Sequence, residues 1–277
     1  MRPKMQLKMR LKHIALLGLI LTSTWGVQAA DIETYYNQAN TFLGKGEFVK
    51  AIEAYSQVIK LDPKHADAYF NRAGAFSRLK KYQEAIKDYT SAIEQVPTDG
   101  EAYGNRGLIY TQLSKFELAL EDFNLAVQLM PQDAIQLHNR GVVYQHLKKQ
   151  AEAIQDFEAA LKIDPKYVKA YTNRALSYLA NGKPELALAD LEQAYKLAPK
   201  DPQIFARRGR IYFAQQKYSA AIKEYTQALT LDPGLTSVWF NRGTAWMMLK
   251  NCPKALADFQ QACKRGDKQA CTAKCES

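Results

Sequence analysis

Small, aromatic and proline positions recur along this chain at one fixed spacing. Pro63, Pro97, Pro131, Pro165, Pro199 and Pro233 stand 34 residues apart each time, preceded by Asp62, Val96, Met130, Asp164, Ala198 and Asp232. Laid out at that period, the chain gives seven units beginning at Ile32, Ala66, Gly100, Ala134, Val168, Pro202 and Thr236. The eleventh residue is aromatic in every unit (Phe42, Phe76, Tyr110, Tyr144, Tyr178, Tyr212, Trp246). The twentieth is always Ala (Ala51, Ala85, Ala119, Ala153, Ala187, Ala221, Ala255), and the eighth is Ala or Gly, as in Ala39, Ala73, Gly107 and Gly141. Steps of three, four and seven between apolar columns are those of amphipathic helices, so each unit predicts two helices around a polar turn such as Gly44 to Glu47. Small residues let the helix axes approach closely, aromatics fill the space between them, and the proline stops the second helix.

These columns resemble the tetratricopeptide repeat family, whose aromatic-small-aromatic-Ala-aromatic-Ala-Pro pattern stands here as Tyr69, Ala73, Phe76, Ala85, Tyr89, Ala92 and Pro97. The resemblance covers residues 32 to about 266 and implies an all-α fold, a right-handed superhelical solenoid of about seven helix-turn-helix repeats. Seven such units end at Gln269 and leave no room for a second domain. The expected organisation is a leader at 1–29, the repeat array at 30–266 and a cysteine-bearing cap at 267–277. Two departures stand out: Pro184 takes an aromatic place in the fifth inter-helix turn, which a helix start tolerates, and Asp267 replaces the terminating proline of the seventh unit.

The leader rests on its own pattern. A basic stretch from Met1 to His13 precedes the apolar run Ile14–Leu21, and Val27 and Ala29 supply the small residues of a secretory cleavage site. Eight apolar residues are too few for a bilayer-spanning helix, which needs about 20. The expectation is a cleaved, exported, soluble protein in the periplasm or outside the cell, without stable membrane insertion.

Export places Cys252, Cys263, Cys271 and Cys275 in an oxidising setting, where clustered thiols in even number argue for disulfides with three possible connectivities. Cys271 and Cys275 lie four apart on one expected helix and do not meet well, whereas Cys263 with Cys271 fits a bridge across a turn. That favours Cys263 with Cys271, leaving Cys252 with Cys275. A four-thiolate zinc site is the rival reading, but gaps of ten, seven and three residues lack the paired short gaps of zinc modules. Residues 262–271 also resemble the cysteine-paired Sel1-like repeats, which implies a stapled cap over the last apolar face.

The family resemblance implies that the second, fifth, sixth and ninth residues of each unit face a concave groove. The sixth is Asn37, Asn71, Asn105, Asn139, Asn173, Arg207 and Asn241. A primary amide donates and accepts at once, so such a column is able to hold an extended backbone without reading its side chains. At about 9 Å between stacked helices and about 3.3 Å per extended residue, each Asn would serve about every third ligand residue. The alternative is that each Asn bonds backbone within its own array. The fifth places Tyr36, Phe70, His138 and Phe240 are expected to add shallow aromatic contacts. Lys169, Arg207 and Arg210 make the later groove basic after an early acidic stretch at Glu33, Asp67 and Glu101, which predicts an extended partner with acidic residues or a terminal carboxylate there. The chaperone-tail clamp of the family is matched at only two of five places, Asn173 and Arg207, against His138, Val142 and Gln203, so that specificity is not carried over. Arg follows the Asn in most units and a carboxylate sits at the twenty-third place (Arg72 with Asp88, Arg106 with Asp122, through Arg242 with Asp258). The first unit lacks both, having Gln38 and Ala54, which favours a structural clamp between the two helices.

Composition adds exclusions. With 47% hydrophobic and 24% charged residues, the 277-residue chain is neither disordered nor a multi-span membrane protein. Its net charge of +10 falls by half without the leader, whose five basic residues have no acidic counterpart, so a nucleic-acid partner is not required. Four His are present: His13 sits in the leader, His65 in a turn, and His138 and His146 are about 12 Å apart along one helix, too far to share a metal. No phosphate loop, metalloprotease pair or serine elbow occurs. The expectation is no enzyme, no cofactor and no metal, but a scaffold or adaptor for a protein or peptide partner, with a holder of unfolded exported subunits as the alternative.

Overall fold

A computed structural model describes residues 24–275. It is entirely helical among those residues, and six of the seven first helices begin on the residue that opens a sequence unit. Contacts divide the chain into two compact units, 1–143 and 144–277, with the boundary inside α7 (Ala134–His146). The first unit holds the hairpins α1/α2 (Thr24–Gly44, Phe48–Leu61), α3/α4 (Ala66–Arg78, Tyr82–Gln95) and α5/α6 (Gly100–Gln112, Phe116–Leu129). The second holds α8 (Gln150–Ile163), the hairpins α9/α10 (Val168–Ala180, Pro184–Leu197), α11/α12 (Pro202–Ala214, Tyr218–Leu231) and α13/α14 (Thr236–Met248, Cys252–Lys264), and the short α15 (Lys268–Cys271). Within each unit every hairpin packs on the next, the arrangement of a helical repeat stack. Residues 1–23 of the expected leader lie outside the described residues, and 24–29 belong to α1, which runs on without a break into the first repeat helix.

One turn geometry builds every hairpin. The fifteenth residue of each unit takes a left-handed conformation: Gly46, Lys80, Ser114, Lys148, Gly182, Gln216 and Lys250 have φ between 56° and 77°. The amide that follows reaches back to the carbonyl of the aromatic eleventh residue, as in Lys81 N to Phe76 O at 2.9 Å and Lys217 N to Tyr212 O at 2.9 Å. This is the six-to-one bond that satisfies a helix carboxy terminus. Five of the seven positions lack glycine and bear the side-chain penalty of that conformation.

The core of each hairpin sits where the columns meet. Tyr55, Tyr89, Phe123, Phe157, Leu191, Tyr225 and Phe259, all at the twenty-fourth place, are buried against the Ala of the twentieth. They also press on the small eighth residue. A Cβ added to Gly209 would lie 2.6 Å from the Tyr225 ring, and one added to Gly243 would lie 2.8 Å from Phe259. At the carboxy terminus Cys252 is bonded to Cys275 and Cys263 to Cys271, with Cα separations of 5.4 and 4.8 Å. The segment after α15 is thus tied back to the start of α14, and Ala270, Ala273 and Cys275 cover Phe259 and Ala262.

Candidate peptide-binding face

The sixth-place column is not uniform. In the first unit Asn37 is exposed and Asn105 half-buried, and neither side chain makes a hydrogen bond among the described residues. Asn71 is fully buried, donating its amide N–H to the Tyr36 hydroxyl at 3.0 Å, and its Oδ1 has no partner. Asn139 is half-buried with Oδ1 3.3 Å from His138 Nδ1. In the second unit Asn173 accepts from Arg207 Nη1 at 3.4 Å, while the half-buried Asn241 side chain makes no hydrogen bond among the described residues. Asn71 therefore drops out of the expected ladder, because the fifth-place tyrosine of the preceding repeat overlies it and shuts out a ligand.

The fifth-place aromatics also differ from expectation. Phe70 is 1% exposed and stands edge-on to Tyr89 with ring centroids 5.5 Å apart, and His138 is 7% exposed. Tyr36 is half-buried between Tyr55 and His65, at 5.9 and 5.0 Å, and Phe240 is half-buried against Phe259 at 5.4 Å. Tyr36, Phe70 and Phe240 thus pack their own helix onto the large twenty-fourth residue, and burying an aromatic side chain gains about 2–3 kcal/mol. Phe70 and His138 are too buried to offer the expected shallow contact, whereas Tyr36 and Phe240 keep part of their surface open.

The basic positions cluster in the second unit, where α9 and α11 are in contact. Arg207 reaches back from α11 to α9, donating from Nη1 to the Thr172 carbonyl at 3.2 Å as well as to Asn173. Thr172, at the fifth place, accepts through its backbone and leaves no bulky ring over the guanidinium. No carboxylate lies within ion-pairing distance of Arg207 among the described residues. Burial lowers its pKa from the ordinary arginine value, partly offset by Asp201, and the nearby Arg210 lowers it further. Arg210, close enough to act on it, is exposed, and so is Lys169 on α9.

The adjacent arginine column is already occupied. Arg72, Arg106, Arg174 and Arg242 each form a two-bond pair with the aspartate of their own second helix. The distances are 2.7 and 2.9 Å to Asp88, 2.9 and 2.7 Å to Asp122, 2.8 and 2.6 Å to Asp190, and 2.8 and 2.8 Å to Asp258. The third nitrogen reaches the second helix of the preceding repeat: Arg72 Nη1 donates to Ser56 Oγ, Arg106 to Thr90 Oγ1, Arg140 to Asn124 Oδ1 and Arg242 to Thr226 Oγ1, at 2.9 to 3.2 Å. Arg72, Arg106 and Arg242 thus each tie three helices together. The twenty-fifth-place partner was not read from the sequence, because Ser, Thr, Asn and Glu share no residue type there, only the capacity to accept. The sixth repeat is the weak one: Arg208 Nε is 3.4 Å from Glu224, whose Oε2 is buried without a hydrogen bond. Burial raises the Glu224 carboxyl above its ordinary pKa, against the pull of Arg208.

Tetratricopeptide repeat models match residues 36–100, 172–236 and 207–270, and again 100–133 and 134–167. The chain belongs to the tetratricopeptide repeat family. Among solved structures it is similar to a tetratricopeptide repeat protein from Parabacteroides merdae, with 24% identity and a TM-score of 0.74 over 87% of this chain and 95% of that one. It is also similar to PilF of Pseudomonas aeruginosa, at 19% identity and TM-score 0.64 over 75% and 95% of the two chains. MamA from Desulfovibrio magneticus RS-1 matches at 17% identity and TM-score 0.58 over 60% and 94%. At these identities the likeness is one of fold. No curated protein sequence matches the chain. Tetratricopeptide repeat proteins are in general non-catalytic scaffolds that bind protein or peptide partners, and no described helix is long and apolar enough to cross a membrane.

Proposed function

We propose that this chain is a non-catalytic scaffold of the cell envelope that holds an extended, acidic polypeptide segment along its first helices. Arg207 carries the proposal: a guanidinium partly withdrawn from water, bonded only to neutral acceptors, with the exposed Arg210 nearby and the exposed Lys169 on the helix it reaches. Burying a cation without a counter-charge is costly, and an incoming carboxylate removes that cost while accepting from the N–H groups left over. Asn241 in the same unit supplies a side-chain amide unengaged among the described residues and suited to a peptide backbone. The envelope location rests on the amino-terminal basic and apolar pattern.

The test is fluorescence polarisation with labelled ten-residue peptides that are acidic, neutral or basic, each with a free or an amidated carboxy terminus. The acidic peptides bind tightest, and Arg207→Asn, which restores the column's usual residue, weakens them about tenfold while leaving neutral peptides alone. Equal binding of acidic and neutral peptides, or an Arg207→Asn protein indistinguishable from the parent, would overturn the proposal.

A further inference from the structure

The last hairpin carries a second feature, remote from the amide column. Its turn projects Met248 and Leu249, 48% and 42% exposed, and Lys250 follows them. In earlier repeats the leucine of this place, Leu79 or Leu113, is half-buried, and the residue before it is polar. The Cys252–Cys275 bond brings the tail to this turn, setting the exposed Lys274 next to the start of α14, from which Lys254 also extends with Nζ 4.4 Å from the Trp246 ring. Residues 250–277 hold six basic side chains against the three carboxylates Asp258, Asp267 and Glu276. Of these, Asp258 pairs with Arg242, and Asp267 caps α15 through the amides of Gln269 and Ala270. The result is two exposed apolar side chains on a stretch of chain that also carries the exposed Lys250, Lys254 and Lys274, none of which forms an ion pair among the described residues.

We propose that this turn docks on an anionic lipid surface, with Met248 and Leu249 entering the headgroup boundary and the three lysines facing lipid phosphates. Charge complementarity selects that occupant. A surface of like-charged headgroups engages all three flexible lysines at once, whatever their rotamers, and also accepts the two exposed apolar side chains. Attachment of this kind is peripheral and salt-sensitive, since the attraction decays over a Debye length of about 10 Å at 0.1 M salt. The proposal stands apart from the acidic-peptide reading, because Arg207, Lys169 and Arg210 play no part in it.

The experiment measures hydrogen exchange of the turn amides 248–251 in the full chain. It uses phosphatidylcholine vesicles with and without about one third phosphatidylglycerol, and vesicle sedimentation for affinity. The turn is expected to be protected by the anionic vesicles and not by the neutral ones. Substitution of each lysine by Gln lowers partitioning about fivefold, and K250Q/K254Q/K274Q together lower it roughly a hundredfold. M248S/L249S abolishes turn protection while the salt dependence of what binding remains is kept. Sedimentation without protection of the turn, or protection that survives the triple lysine variant, overturns the proposal. So does capture by soluble polyglutamate, lost in the triple variant, when the anionic vesicles give no protection, since the partner is then an acidic protein. An unchanged melting curve and intact disulfides in the variants exclude misfolding as the cause of any loss.

Discussion

Replacing Asp122 by Asn tests whether the arginine column is structural. The Asp122 side chain is 5% exposed and the Arg106 side chain 16% exposed, joined by bonds of 2.9 and 2.7 Å. An amide accepts one guanidinium N–H and turns its own NH2 against the other, so one charge-assisted bond is lost, worth about 1.5–3 kcal/mol. A partly buried cation is also left without its counter-charge, which raises the total to about 3 kcal/mol. At about 2–4 °C per kcal/mol for a chain of this size, Tm falls roughly 6–12 °C. Burial holds the Asp122 carboxyl above its ordinary pKa in spite of Arg106, so desolvation offsets part of the attraction within the pair. R106M/D122L, which removes both charges, is therefore expected within about 1 kcal/mol of the parent. Because repeat arrays open locally, thermal unfolding is best accompanied by hydrogen exchange of α5 and α6, where the loss is expected to concentrate. A cost below about 0.5 kcal/mol for D122N, or a loss of peptide affinity with Tm unchanged, refutes the structural role.

Glu224→Asp allows the two-bond geometry seen in the other repeats and is expected to stabilise by about 1 kcal/mol in urea unfolding. Since the folded pKa of Glu224 lies above its unfolded value, the native state takes up that proton more tightly. Glu224 therefore contributes more stability as pH falls from neutral toward the ordinary glutamate range, a gain that E224Q should lack in melts run between pH 7 and 5. Lys80→Gly and Gln216→Gly relieve left-handed backbone at φ 60° and 59° and should each raise stability by about 0.5–1 kcal/mol in the same assay. Gly209→Ala drives a Cβ to 2.6 Å from the buried Tyr225 ring and is expected to cost roughly 1–2 kcal/mol despite the better helix propensity of Ala. Reduction opens loops of 23 and 8 residues, worth roughly 3.5 and 2.5 kcal/mol in the unfolded chain, and should speed amide exchange in α13–α15 while leaving α1–α4 unaffected.

The helices were legible because their spacing is a backbone property. A proline every 34 residues and an alanine at each twentieth place fix helix ends and closest approaches, and the first helices start where the units do from Ala66 onward. The hairpin turns were less legible, since Lys80, Ser114, Lys148, Gln216 and Lys250 adopt a conformation that sequence signals mark only at Gly46 and Gly182. The arginine clamp was visible as a covarying pair of columns across the repeats, but its third partner was not. The binding face was the least legible part. Whether a sixth-place amide is open depends on the fifth-place residue of the repeat before it: Tyr36 closes over Asn71, while Thr172 leaves Arg207 reaching only backbone and an amide. A residue's position in the repeat predicts its direction, and its neighbour's size decides its exposure.

On the proposed function, the first helices of the second unit hold an acidic polypeptide segment. The most direct measurement places a photoreactive amino acid at Lys169 or Arg210, and as control at the exposed Leu186 on α10, then sequences the peptides captured in the envelope fraction. Asp- and Glu-rich segments crosslinked from positions 169 and 210, and not from 186, are the predicted result. Capture from 186 alone, or peptides from 169 and 210 with no acidic bias, would contradict it.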